Sequence, residues 1–312
     1  MNNKPSAHAL LSEALEALIG EAQAARKRLF TRDADTPKDE EALHDFRVAL
    51  RRLRTLLRVG RKLWGKQRLA RIEGELRHYA HATGALRDEE VLRETLASLE
   101  LPDAARAELG GWLVRRGRRV RAKHVAVEKL ILSGPKERVV AFPGGKRVRP
   151  LDRSFEKLLG LLKSHDTVPW STKDLGKVAL ESATAEVKTR AAADVSDVEA
   201  MHALRIGEKR LRYAAELFVS SHGSHAAQLA KRAMRMQKRL GELHDIDEAR
   251  IQLGRARGLS KATRDAVAAA LRVLRVACAE KLEPHLAKTR QLQEHKDAEI
   301  DALETSPATS SA

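Results

Sequence analysis

Aromatic residues are scarce in this chain: three Trp, two Tyr and five Phe make up 3% of 312 residues. Proteins that read single-stranded nucleic acid stack bases on aromatic rings, so this composition points away from base recognition. Cysteine occurs once, at Cys278, which excludes an intrachain disulfide and a Cys-rich zinc site. No uncharged apolar run reaches the roughly 20 residues that span a membrane. Glu13 and Glu16 interrupt the early apolar stretch, so no secretory leader is expected. The resulting expectation is a soluble, cytoplasmic protein. Catalytic signatures are missing too: there is no Walker loop, no Gly-x-Ser-x-Gly and no His-Glu-x-x-His. No carboxylate cluster suited to a divalent metal stands out. Accordingly no catalytic residue, metal ligand or cofactor is expected.

Positive charge, by contrast, is abundant. Lys and Arg number 59 against 43 Asp and Glu, a net charge of +16. Such an excess attracts nucleic acid, anionic membranes or phosphate polymers. It can also simply keep a protein soluble. The placement of the cations decides between these readings.

Most of the chain carries the 3.6-residue apolar period of amphipathic helices and is rich in Ala, Leu, Arg, Glu and Lys, which favour helix. The fold class is all-α. Helices are predicted over 7–32, 38–64, 66–83, 88–99 and 102–132. Thr36, Pro37 and Asp39 form a start signal for the second of these. Residues 133–150 hold three prolines and three glycines and read as a linker, with a short extended piece at Val139–Phe142. Helices follow over 151–165, 172–194, 197–221, 224–241, 245–257 and 260–302. Ser171/Asp174 and Ser196/Glu199 supply capping signals, and Pro284 should kink or break the last helix. The polar tail, 305–312, is expected to be disordered.

A repeat organises these elements. Residues 43–54 read LHDFRVALRRLR, and residues 201–212 read MHALRIGEKRLR. Both fit apolar-His-x-apolar-Arg-apolar-x-x-basic-Arg-Leu-Arg, 158 residues apart. A second match, 157 residues apart, joins TGALRDEE at 83–90 to LGELHDID at 240–247. A period this long exceeds a solenoid repeat and implies two copies of one multi-helix bundle. The expected units are a first bundle at 1–132 and a second at 151–304.

On a helical wheel, Arg47, Arg51, Arg54 and Arg58 fall within about 60° of one another. They lie directly beside the apolar face formed by Leu43, Phe46, Leu50, Leu53 and Leu57. His44 heads this stripe. The second copy places His202, Arg205, Lys209 and Arg212 on the same stripe, with Glu208 intruding where the first copy has Leu50. Solvated faces usually mix acids with bases at i,i+4 spacing, whereas here cations follow one another each turn. A polyanion-binding groove and a solvated face are the two readings, and the first accounts better for cations kept in both copies.

At these residues the chain resembles the CHAD family, named for conserved histidines on an α-helical domain. The resemblance rests on LHDFRVALRRLR, MHALRIGEKRLRY and the LRD and LHD segments. It implies two pseudo-symmetric four-helix bundles from an internal duplication, whose basic helices line a groove that binds inorganic polyphosphate. It also implies a bacterial setting and targeting to polyphosphate granules. Under the resemblance, His44, Arg47, Arg51 and Arg54 match the first motif, and His202, Arg205, Lys209 and Arg212 the second. Nucleic-acid binding through backbone phosphates and a metal-dependent phosphohydrolase remain as alternatives.

Other cations extend the candidate site. WLVRRGRRVRAKH at 112–124 is the densest basic run, with Arg115 and Arg119 on one helix face as a possible further wall. Arg235 and Arg239 share a face with Arg232. His78 and His81 match Arg235 and Lys238 in the second copy, which suits cationic contact better than metal ligation. Arg87 and His244 match in the same way. Both motif histidines can equally serve phosphate contact or helix packing. Tyr213 reads as structural. Asp88 and Asp245 are expected to cap a helix or to orient an Arg.

Overall fold

The strong helix formers that fill the periodic stretches fold as expected. A computed structural model describes residues 6–30, 40–132, 140–141, 147–164 and 169–304. Among them are ten helices and one two-stranded ribbon. The helices are α1 (Ala7–Phe30), α2 (Glu40–Trp64), α3 (Lys66–Ala82), α4 (Gly84–Ala97) and α5 (Asp103–Leu132), then α6 (Leu151–Leu162), α7 (Thr172–Ala191), α8 (Val198–Leu217), α9 (Val219–Gly254) and α10 (Lys261–Glu304). The strands β1 (Val140–Ala141) and β2 (Arg147–Val148) pair antiparallel. They fall within the segment where one extended piece is predicted. Residues 133–139 and 142–146 of that linker, the start signal at Thr36, Pro37 and Asp39, and the tail at 305–312 lie outside the described residues.

Local chemistry sets several boundaries. Ser171 Oγ accepts from the Asp174 N–H and caps α7 as predicted. The cap of α8 is Asp197, whose carboxylate accepts from the Ala200 N–H, one residue after the expected Ser196. Gly223 takes φ 54°, a left-handed conformation that glycine adopts without steric cost, and interrupts α9 near the predicted start at 224. Two expected interruptions are absent. The helix at 224–241 continues unbroken to Gly254, and α10 runs through Pro284 without ending. Asp245 therefore lies inside α9, and Asp88 lies more than a turn into α4, so neither caps a helix.

The apolar stripe of α2 is buried as the wheel requires: Phe46, Leu50, Leu53 and Leu57 are fully covered. They join Leu11 and Leu15 of α1, Leu69 and Leu76 of α3, and Phe155 and Leu158 of α6 in one core. A second core holds Leu204 and Leu211 of α8 with Met236 and Leu240 of α9 and Leu282 and Leu286 of α10. A third joins Leu92, Leu96 and Trp112 of α4 and α5 to Ile246, Leu253 and Leu271 of α9 and α10. Two of these three cores draw residues from both sides of 133–150.

Helix α6 heads the expected second unit, yet its contacts are with α1 and α3. Ser154 donates to buried Glu75 at 2.8 Å, Arg149 pairs with the same carboxylate at 2.7 Å, and Asp152 pairs with Arg26. These bonds compensate a carboxylate that would otherwise be costly to bury. The element order of α1 to α5 recurs in α7 to α10, with α3 and α4 together matching the single helix α9. In the first half the break falls at buried Thr83, whose hydroxyl donates back to the Tyr79 and Ala80 carbonyls. Leu240 occupies the matching position and leaves α9 continuous.

Candidate anion-binding site

Helices α2 and α8 pack against each other, and this contact brings the two basic stripes together. Arg51 lies within electrostatic reach of both Arg205 and Lys209, and Lys209 also senses Arg47. The arrangement is reciprocal. Arg47 and Arg205 occupy matching positions 158 residues apart, as do Arg51 and Lys209. Each stripe is backed by one acid of the second repeated segment: Asp88 from α4 acts on Arg47, and Asp245 from α9 acts on Arg205. Each Arg also lies beside a glycine. A Cβ on Gly84 would stand 3.4 Å from Arg47 Nη1, and one on Gly241 would stand 3.9 Å from Arg205 Nε.

These cations are half-buried and lack close acidic partners. Arg47, Arg51, Arg205 and Lys209 form no ion pair within 4 Å among the described residues. Arg47 Nη1 and Arg205 Nε are buried and have no hydrogen-bond partner. Desolvation lowers the pKa of both guanidinium groups; Arg51 adds to the effect in each case, while Asp88 and Asp245 oppose it. An arginine still keeps its charge at neutral pH. Lys209 does not: burial first, then Arg205 and Arg51, push its pKa down to about 6. The two acids are themselves raised above the ordinary carboxylate range by burial.

Two histidines close one side. His202 Nδ1 and His244 Nδ1 are 3.2 Å apart, and their rings are tilted by 43° with centroids 4.6 Å apart. Only one of the facing nitrogens can carry the bridging proton. Burial, together with Arg205, His202 and Lys209, lowers His244 to about 4. Burial and Arg205 also lower His202. No group of three or more His, Cys, Asp or Glu side chains suited to a metal occurs among the described residues.

The stripe extends along α2. Arg54 lies near Arg77 and Arg58, and Arg58 lies near Arg210 and Arg61; desolvation is the leading cause of the lowered pKa of both. Arg210 of α8 joins this end and is itself held by Glu186. Arg212 turns elsewhere. It pairs with Glu216 at 2.7 Å and lies over the Tyr213 ring, on whose other contacts Arg52 also converges. His44 is exposed near the start of α2.

The remaining predicted cations lie apart from this cluster. Arg115 and Arg119 are exposed on α5, and Arg119 borders a separate cavity with Arg255 and Arg257. Arg235 and Arg239 lie within electrostatic reach of His285 of α10. Glu208, the intruder on the apolar face, is 1% exposed. Its Oε2 and the nearby Arg232 Nη2 both lack a hydrogen-bond partner, and burial raises its pKa to about 7. His78 is engaged by its own helix through the Gly74 carbonyl.

Sequence reasoning left His244, Arg87, Asp88 and Asp245 outside the core of the site. All four belong to the second repeated segment, so that repeat held the signal. Arg210 matches Arg52 in the first repeated segment, but its helical position is on the opposite flank from Arg205, so the stripe did not select it.

The described residues thus form ten helices, and two of these bring half-buried cations together. The sequence profile of the CHAD domain matches residues 9–254, and the chain belongs to that family, known for its association with polyphosphate. Two solved structures share the fold. The CHAD domain from the plant Ricinus communis is 19% identical, with a TM-score of 0.62 over 92% of this chain and 93% of that one. PptA from Streptomyces chartreusis is 20% identical, with a TM-score of 0.56 over 93% and 99%. A comparison with curated proteins found no match. No helix among the described residues is long and apolar enough to cross a membrane.

Proposed function

We propose that this protein binds inorganic polyphosphate without transforming it, gripping the chain at the contact of α2 and α8. Arg47, Arg51, Arg205 and Lys209 form the centre, His202 and His244 border it, and Arg54 and Arg58 extend it. The observation that carries this reading is the unpartnered guanidinium edges of Arg47 and Arg205, brought together from two halves of the chain. Buried donors without acceptors are costly, and phosphate oxygens supply acceptors and countercharge together. Polyphosphate offers a negative charge on every unit and no base that would require an aromatic ring. Cations one turn apart, about 5.4 Å along the axis, can each reach a different unit of a flexible chain. Single exposed ion pairs contribute only about 0–1 kcal/mol, so affinity comes from several contacts and released counterions. A cytoplasmic, granule-associated role follows from such a ligand.

Competition tests the reading. Labelled long-chain polyphosphate should be displaced by unlabelled polyphosphate at far lower phosphate concentration than by DNA or RNA. Binding should weaken steeply with salt, and incubation with Mg²⁺ or Mn²⁺ should release no phosphate. Equal displacement by nucleic acid would transfer the assignment to backbone phosphates in general. Phosphate release would make the protein a hydrolase.

A further inference from the structure

The densest basic run of the sequence does not join the α2–α8 cluster. Trp112, Arg116, Arg119 and Lys123 share one face of α5, and that face meets the loop that follows α9. Together with Arg255 and Arg257 they border a cavity of about 360 Å³ whose lining contains no acid. The wall is fixed. Trp112 Nε1 donates to the Arg257 carbonyl at 3.2 Å, and Gly258 turns the loop with φ 82°. Arg116 covers the Trp112 ring at 5.4 Å and is neutralised by Glu89 at 2.6 Å. Arg119, Lys123, Arg255 and Arg257 make no ion pair within 4 Å among the described residues. Four unpaired cations from both halves of the chain therefore surround one concavity. All four are exposed, and their convergence with no acid in the lining gives the concavity a positive potential that attracts anions.

We propose that this cavity is a second, separate anion site that takes a short condensed phosphate such as inorganic tripolyphosphate. Its volume is near the lower limit for small-ligand pockets, which suits a compact oligophosphate rather than a nucleic-acid segment. Trp112 is 3% exposed, so no ring face remains for a nucleobase. The cations that border it have no member in common with the α2–α8 cluster, so the inference stands without that site.

Calorimetric titration of the full chain with inorganic tripolyphosphate, beside ATP, tests the proposal. The expected stoichiometry is two, with one class of site lost in the Arg119→Glu/Lys123→Glu/Arg257→Glu variant. The same class persists in an Arg51→Gln/Lys209→Gln variant. A local reporter comes from a Trp64→Phe/Trp170→Phe background, in which Trp112 is the one remaining tryptophan. Its emission should change saturably with tripolyphosphate, and the α5 charge reversals should weaken that response at least tenfold. If the Trp64→Phe/Trp170→Phe chain does not fold, the calorimetric stoichiometry decides alone. The absence of any site lost in the α5 variant, an unchanged Trp112 response in that variant, or tighter binding of ATP than of tripolyphosphate would overturn the proposal. Loss in the Arg51/Lys209 variant of only the class that the α5 charge reversals spare leaves this site standing and tests the α2–α8 reading separately.

Discussion

Polyphosphate should bind more tightly at pH 6 than at pH 8, and Lys209 sets the size of the effect. In the free protein this amine has a pKa of about 6, because burial, Arg205 and Arg51 all disfavour its charge. Arg47 and Arg51 of α2, Arg205 and His202 of α8, and His244 and Asp245 of α9 surround it. A bound phosphate chain supplies the missing negative charge and returns the amine toward its ordinary value near 10.5. Binding at pH 8 therefore takes up close to one proton. By linkage the affinity falls by about fifty-fold from pH 6 to pH 8, roughly 2.3 kcal/mol. Above pH 7 the slope approaches one proton per complex. The histidine pair adds uptake at lower pH, since His244 is held near 4 until an anion arrives. Calorimetry in two buffers of different ionisation enthalpy reads the proton count directly. Long polyphosphate keeps the titration of chain ends small. Replacing Lys209 with Met should remove most of the slope above pH 7. An unchanged slope in Lys209→Met, or no proton uptake in the unaltered chain, would refute the assignment.

Two further predictions concern stability. Buried Glu208 has a folded pKa of about 7, raised by desolvation from an ordinary 4.5. The folded state thus holds the proton more tightly, and the associated stability is full below the ordinary range and lost as pH rises through 7. Glu208→Gln stays neutral, so it should raise the melting temperature at pH 8 and change little at pH 4, with a gain of at most about 3 kcal/mol. A melting temperature lowered equally at both pH values would contradict this. Arg275 pairs with Asp247 at 2.7 Å and also donates to the Val195 carbonyl, while Asp247 is 3% exposed. Arg275→Met leaves that carboxylate with only the weaker Arg250 contact at 3.4 Å. Urea unfolding should show a loss of about 3 kcal/mol, and a loss below 1 kcal/mol would place the pair among ordinary surface contacts.

The helices and the register of α2 were legible in the sequence because the apolar period and the cationic stripe share one wheel. Phe46, Leu50, Leu53 and Leu57 are buried where the pattern puts them. The matching positions of Arg47 and Arg205, and of Arg51 and Lys209, could be read from the repeat alone. What the repeat does not encode is how α2 meets α8. Arg210 and Arg212 sit on opposite flanks of one helix, and the packing of α8 sends Arg210 to Arg58 and Arg212 to Glu216. The stripe pattern selected Arg212 and passed over Arg210. Likewise α6 follows a linker in the chain, but its attachment to the first half depends on Glu75, Arg26 and Tyr79, residues far away in sequence. The spacing within 112–124 reveals a basic face, while its docking partner, the loop at Arg255 and Arg257, is visible only in three dimensions.

The most direct test of the central claim is the affinity of long-chain polyphosphate for a variant with Arg47→Gln, Arg51→Gln, Arg205→Gln and Lys209→Gln together. Glutamine removes the charge without crowding Asp88 and Asp245 with further acids. The account predicts at least a hundredfold loss of affinity at the α2–α8 site with helicity and melting temperature nearly kept. A folded variant that binds as tightly as the unaltered chain would contradict it.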